Sequence, residues 1–176
     1  MNKNINEDEI RELSCLARYR DIQSVKRSIN KSNVTTLREK QSFLHAALSN
    51  DTGDRDNIAF FLIDLGVDVN AQGSRGYTAL HQCAAHGAYD VAQYILEHGG
   101  KPSLNLSDQY GNQPLWTAVF NSNAESGMKI TDLFLQYEAD IHHKNNVNLS
   151  PLDLALDVQD EGVLALFKKN RPGEVN

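Results

Sequence analysis

Residues 76–100, GYTALHQCAAHGAYDVAQYILEHGG, gather His81, His86, His98 and Cys83 within one segment. Imidazoles and thiolates are zinc ligands and the working groups of nucleophilic catalysis, so chemistry would be sought here first. The spacing argues against it. His81 and His86 stand five positions apart, more than a turn and a third of helix, which suits one metal ion poorly. The chain has no HExxH motif, no phosphate-cradling GxxxxGKS or GxxxxGKT, no GxGxxG after a strand and no GxSxG. His142 and His143 are adjacent, so their side chains point apart, and no cysteine or carboxylate pair is spaced to complete a ligand set. Cys83 lies among small residues and reads as a buried, inert thiol; Cys15 reads the same way. No catalytic residue, metal or cofactor is expected.

Carboxylates are the remaining candidates. Asp153, Asp157, Asp160 and Glu161 cluster near the end of the chain, with 153 and 157 on one helix face. Paired carboxylates serve acid–base chemistry only within a pocket. On an open surface they form a solvated face or a site for a basic partner.

The elements that position these residues come from repetition. Thr78-Ala79-Leu80-His81 aligns with Ser42-Phe43-Leu44-His45, Gln113-Pro114-Leu115-Trp116 and Ser150-Pro151-Leu152-Asp153, at separations of 36, 35 and 37 positions. A hydroxyl in the first place caps free N–H groups of a helix, and proline suits the first turn. The shared leucine marks a core position. Ala47, Ala84, Ala118 and Ala155 follow, small enough for a second helix to approach closely. A second apolar run succeeds each tetrad, at Ile58–Leu65, Val91–Leu96, Ile130–Leu135 and Val163–Phe167, with the spacing of short amphipathic helices. Helices this short are marginal alone and must stack. Turns follow, with Gly73, Gly76, Gly111, Asn145 and Asn146 as residues that tolerate positive φ.

This period of turn, helix, turn, helix resembles the ankyrin repeat, whose unit is about 33 residues. The third unit carries the fullest match, G-x-T-A-L-H-x-x-A-x-x-G from Gly76 to Gly87 and V-x-x-x-I-L-x-x-G from Val91 to Gly99. The resemblance covers residues 5–169 as one domain. It implies a degenerate first unit over 5–36, with Arg20 in place of the usual glycine. Units over about 37–71, 72–106 and 107–143 follow, then a capping unit over 144–169 and a flexible tail over 170–176. Extra residues are expected in loops within 51–56, around 101–103 and within 121–129. The fold class implied is all-α, a solenoid of about five helix pairs without a persistent sheet. His81 is then an architectural residue that hydrogen-bonds locally and bridges adjacent repeats.

The resemblance also implies a function. Ankyrin arrays bind protein partners through their turn tips and the exposed late positions of each first helix. Carried over to this chain, these are Ser74, Arg75, Tyr77, Ala85 and His86, then Gln109, Tyr110, Asn112, Phe120 and Asn121, then Asn146, Val147, Leu149, Asp157 and Val158; Asp153 joins them through the acidic cluster. Aromatic residues and arginine at such positions are the types that dominate interface energies.

Charge sharpens the expectation. Residues 1–40 carry nine Lys/Arg against six Asp/Glu, whereas residues 41–176 carry eight against seventeen. An acidic body repels nucleic acid and steers a basic protein towards itself. No apolar run approaches the roughly 20 residues that span a membrane, and the acidic start does not read as a secretory signal. Two cysteines suggest no disulfide framework. The reading is a non-enzymatic, cytoplasmic, monomeric binder that inhibits one dedicated basic protein, as an immunity protein neutralises a toxin. An adaptor joining two proteins is the alternative; a metal-dependent enzyme using His86, His142 and His143 is a third reading from another class.

Overall fold

The computed structural model describes residues 7–19, 21–29, 42–49 and 53–175. Ten α-helices run through these residues: α1 (Glu7–Tyr19), α2 (Ile22–Ser28), α3 (Ser42–Leu48), α4 (Arg55–Asp64), α5 (Ala79–His86), α6 (Tyr89–Ile95), α7 (Pro114–Phe120), α8 (Glu125–Gln136), α9 (Pro151–Asp157) and α10 (Glu161–Asn170). They form five consecutive pairs. Each first helix packs on the next first helix, α1 on α3, α3 on α5, α5 on α7 and α7 on α9. The second helices make a parallel layer, α2 on α4, α4 on α6, α6 on α8 and α8 on α10. The result is a two-layered, all-α solenoid stacked in sequence order. Among the described residues the sole extended pairing is an isolated antiparallel bridge between Gln72 and Thr78. None of these helices is long and apolar enough to cross a membrane.

Local chemistry sets the helix starts. Thr78 accepts a hydrogen bond from the His81 N–H, and the His81 ring accepts one from the Thr78 N–H, a reciprocal cap that fixes α5. Ser150 and Asp153 repeat the device on α9, with Pro151 in its first turn. Between the two layers lie the small residues: Ala47, Ala84, Ala118 and Ala155 are all buried, as are Leu44, Leu80 and Leu115. Leu152 is only partly buried, because no further unit covers the last first-helix among the described residues.

The turns use these tolerant residues selectively. Gly76 and Gly111 take positive φ, but Gly73 has φ −80°, and Asn148 rather than Asn145 or Asn146 carries the left-handed backbone. Asn145 is instead spent inside its turn, its side-chain oxygen accepting from the N–H groups of Val147 and Leu149. The expected extra residues near 101–103 form a 3₁₀ turn, Lys101–Asn105, after α6 has passed through a π turn at Leu96–Gly100. Those within 121–129 lengthen α8 and the turn before it. Asp51 and Thr52, and the boundary at 36–37, lie outside the described residues. The segment expected as a tail makes contacts: Arg171 donates to the Ala139 carbonyl, and Glu174 lies 3.2 Å from His142.

Candidate protein-binding face

Three successive turns present equivalent tips at Arg75, Tyr110 and Val147. Each turn closes with the same backbone bond, Gly73 N–H to the Tyr77 carbonyl, Asp108 N–H to Asn112 and Asn145 N–H to Leu149. Neighbouring tips are also joined, since Gln109 N–H donates to the Arg75 carbonyl and Asn146 N–H to Tyr110. A row of imidazoles lies beneath, His81 buried and His45 and His143 half-buried. His81 Nε2 donates to the Asn112 carbonyl at 2.9 Å and His45 Nε2 to that of Tyr77, also at 2.9 Å. His143 Nε2 donates to the Gly111 carbonyl. Because the Thr78 N–H donates to Nδ1 of His81, the ring proton sits on Nε2, so this imidazole is neutral. Burial pushes its pKa down, partly offset by the bond to Asn112. Side chains at the tips therefore stand on a hydrogen-bonded ladder rather than on free loops.

The expected contact residues divide into two groups. Ser74, Arg75, His86, Gln109, Tyr110, Phe120 and Asp157 are exposed, as are Ala85, Asn146, Val147 and Val158. Tyr110, Phe120, Val147 and Val158 are 54%, 64%, 73% and 61% exposed, high values for apolar side chains. Phe120 stacks on Trp116, with ring centroids 5.4 Å apart and planes within 11°. Trp116 occupies the place that His45 and His81 hold in earlier units, and its buried Nε1 has no hydrogen-bond partner among the described residues.

The other group serves the architecture. Asn112 is buried; its amide nitrogen donates to Asp108 and its oxygen accepts from Asn145. Asp153 accepts from the Ser150 N–H and hydroxyl and from Lys144, and the Lys144 ammonium holds its carboxyl far below the usual carboxylate range. Asp160 caps α10 and accepts from the Ser122 hydroxyl. Asn121 donates to the Thr117 carbonyl, while Tyr77 and Leu149 are half-buried. The acidic cluster thus separates into two carboxylates tied to helix starts, Asp153 and Asp160, and two exposed ones, Asp157 and Glu161.

Of the chemical candidates, Cys83 is fully buried, and burial raises its thiol pKa beyond the ordinary thiol range. Cys15 corrects the sequence reading. It is exposed, because Ala17 two positions later takes the buried side of α1 and turns position 15 outwards. His86 is exposed, His142 faces Glu174, and His143 is engaged beneath the turns. Among the described residues, no group of three or more His, Cys, Asp or Glu side chains is placed to hold a metal ion.

A profile of ankyrin repeats in three copies matches residues 13–105, more than half of the chain. The chain belongs to the ankyrin-repeat family. It is 34% identical over 112 residues to the human (Homo sapiens) BCL-6 corepressor-like protein 1; the match covers 64% of this chain and 6% of that protein. An ankyrin repeat-containing protein of Schizosaccharomyces pombe is 34% identical over 87 residues, covering 49% of this chain and 38% of that one. The bovine (Bos taurus) SMC5-SMC6 complex localization factor protein 1 is 29% identical over 161 residues, 89% of this chain and 14% of that protein. The chain therefore corresponds to a small part of these curated relatives. An ankyrin array is a protein–protein interaction module.

One feature of that face carried no sequence signal. A recess between the first three pairs is lined by α1, α3, α5 and the turn that carries Arg75. Stacking of the first three units brings Cys15, Arg18 and Tyr19 to the same recess as Arg75 and Tyr77, and no spacing in the chain encodes that approach.

Proposed function

We propose that the ankyrin face of units three to five binds one protein partner bearing basic groups and inhibits it by occupation, in the manner of an immunity protein. The observation that carries this reading is the pair Tyr110 and Phe120, more than half exposed yet held by the turn ladder and by the Trp116 ring. Large, rigid aromatic surface contributes most at an interface when little side-chain freedom remains to be lost. Val147 and Val158 extend the apolar stripe into the last unit. Asp157 and Glu161, exposed nearby and, among the described residues, outside any ion pair, supply the negative field that attracts a basic surface. Asp153 adds less, because Lys144 neutralises it.

Binding kinetics test the assignment once the partner is isolated. A double Asp157→Asn/Glu161→Gln variant is expected to associate more slowly, with weaker salt dependence, since removed charge acts mainly on encounter. Tyr110→Ala is expected to speed dissociation while leaving association nearly unchanged. Wild-type kinetics in both variants would move the contact surface elsewhere. The adaptor reading draws on two relatives whose names describe a corepressor-like protein and a complex localization factor. It requires simultaneous retention of two proteins, whereas inhibition requires loss of the partner's activity in a one-to-one complex.

A further inference from the structure

The recess between the first three pairs shares none of its lining residues with the aromatic stripe, although its Arg75 turn adjoins the Tyr110 turn. Its volume is about 940 Å³, and Cys15, Arg18, Tyr19, His45, Arg75 and Tyr77 line it. Among the described residues no carboxylate lines it, in a chain with 23 Asp/Glu against 17 Lys/Arg. Arg18 and Arg75 are exposed, and among the described residues neither forms an ion pair. Arg18 lies over the Tyr19 ring, 5.1 Å from its centroid, which holds the guanidinium at the rim. On the wall, Gln82 donates to the Ser49 hydroxyl while its buried side-chain oxygen has no partner.

We infer that this recess binds an acidic peptide segment, its carboxylates paired with Arg18 and Arg75. Planar guanidinium groups favour bidentate pairing with carboxylates, and two of them on one concave surface attract negative charge jointly. Tyr19 and Tyr77 flank the charges with apolar ring area. A peptide N–H would give the Gln82 oxygen the donor it lacks, after a small rotation of the amide. The proposal rests on reading this face as protein-binding, and extends it to a region and a charge that the aromatic stripe does not use. The array is then polarised along its length. It takes acidic groups of a partner near its first units and basic groups near its last.

Cys15 supplies a reporter, because it opens into the recess while Cys83 is buried and inert. The experiment follows a fluorescein-labelled octaglutamate peptide by anisotropy, beside octaglutamine and octalysine, and in parallel the rate at which iodoacetamide alkylates Cys15. Octaglutamate is expected to bind at low salt at least about tenfold more tightly than octaglutamine, to slow Cys15 alkylation and to be released by salt. Arg18→Gln/Arg75→Gln is expected to weaken it about tenfold or more and to abolish protection. Asp157→Asn should leave it bound as before. Both arginines are exposed, so the variant should stay folded; the salt series on the wild type gives an answer even if it does not. Octalysine or octaglutamine protecting Cys15 equally, or octaglutamate binding the double-arginine variant normally, overturns the proposal. So does equal protection by inorganic phosphate, which would mark a small-anion site. No partner is needed here, so failure of this subsite and failure of the aromatic stripe are separable.

Discussion

His81 shows how much of one residue the tetrad pattern disclosed. Its place in a repeated position, filled elsewhere by His45, Trp116 and Asp153, marks an architectural part, and the structure finds it bridging two units through the Asn112 carbonyl. What the pattern could not disclose is the price in protonation. Burial lowers its pKa from the ordinary 6.5, so the folded protein holds the ring neutral where the unfolded chain would protonate it. This stabilisation is complete above about pH 6.5 and is lost as pH falls through the lower folded value. The urea midpoint should therefore decline between pH 7 and 5, and His81→Gln should lower the midpoint at pH 7 while flattening that decline. An unchanged slope in the variant would assign the acid sensitivity to other groups. Cys15 and Asn112 were less legible, because burial at the edge of an element depends on which neighbour covers it. Asp153 was misweighted as a free charge, since its hydrogen bonds to Ser150 and Lys144 exist only once α9 has formed.

At the scale of elements, the apolar periodicity and the capping residues disclosed four of the five pairs, and the resemblance to the ankyrin repeat supplied the first. Leu80 and Leu115 are fully buried between stacked units. Truncation of either to alanine is expected to cost about 2–5 kcal/mol, a large part of the roughly 5–15 kcal/mol that holds a domain folded. Leu152→Ala should cost less, as that side chain is only partly covered. His86→Ala should stay within about 0.5 kcal/mol. Chemical denaturation of the four variants checks the order; equal losses would mean that the helix faces are misassigned. Turn geometry was less readable, because left-handed positions are set by backbone closure as well as by residue type. Gly111 shows the constraint where it is real: with φ +78°, an added Cβ would fall 2.5 Å from the Asn146 side-chain oxygen and 2.8 Å from its backbone nitrogen. Gly111→Ala should destabilise by more than about 1 kcal/mol and loosen the joint between the fourth and fifth units.

For the molecule as a whole, stacking order followed from the repeats, whereas the surface did not. Charge counts marked the body as acidic and the first forty residues as basic, yet only folding sets Arg18 of the basic stretch and Arg75 of the body on one recess. The central claim is that a partner protein seats on the aromatic stripe of units three to five. Hydroxyl-radical footprinting of the purified complex tests it most directly, because oxidation reports solvent access at individual aromatic rings. Protection is expected at Tyr110 and Phe120, with Tyr94 on the second-helix layer oxidised as in the free protein. Protection of Tyr94 with Tyr110 and Phe120 still fully reactive would contradict it.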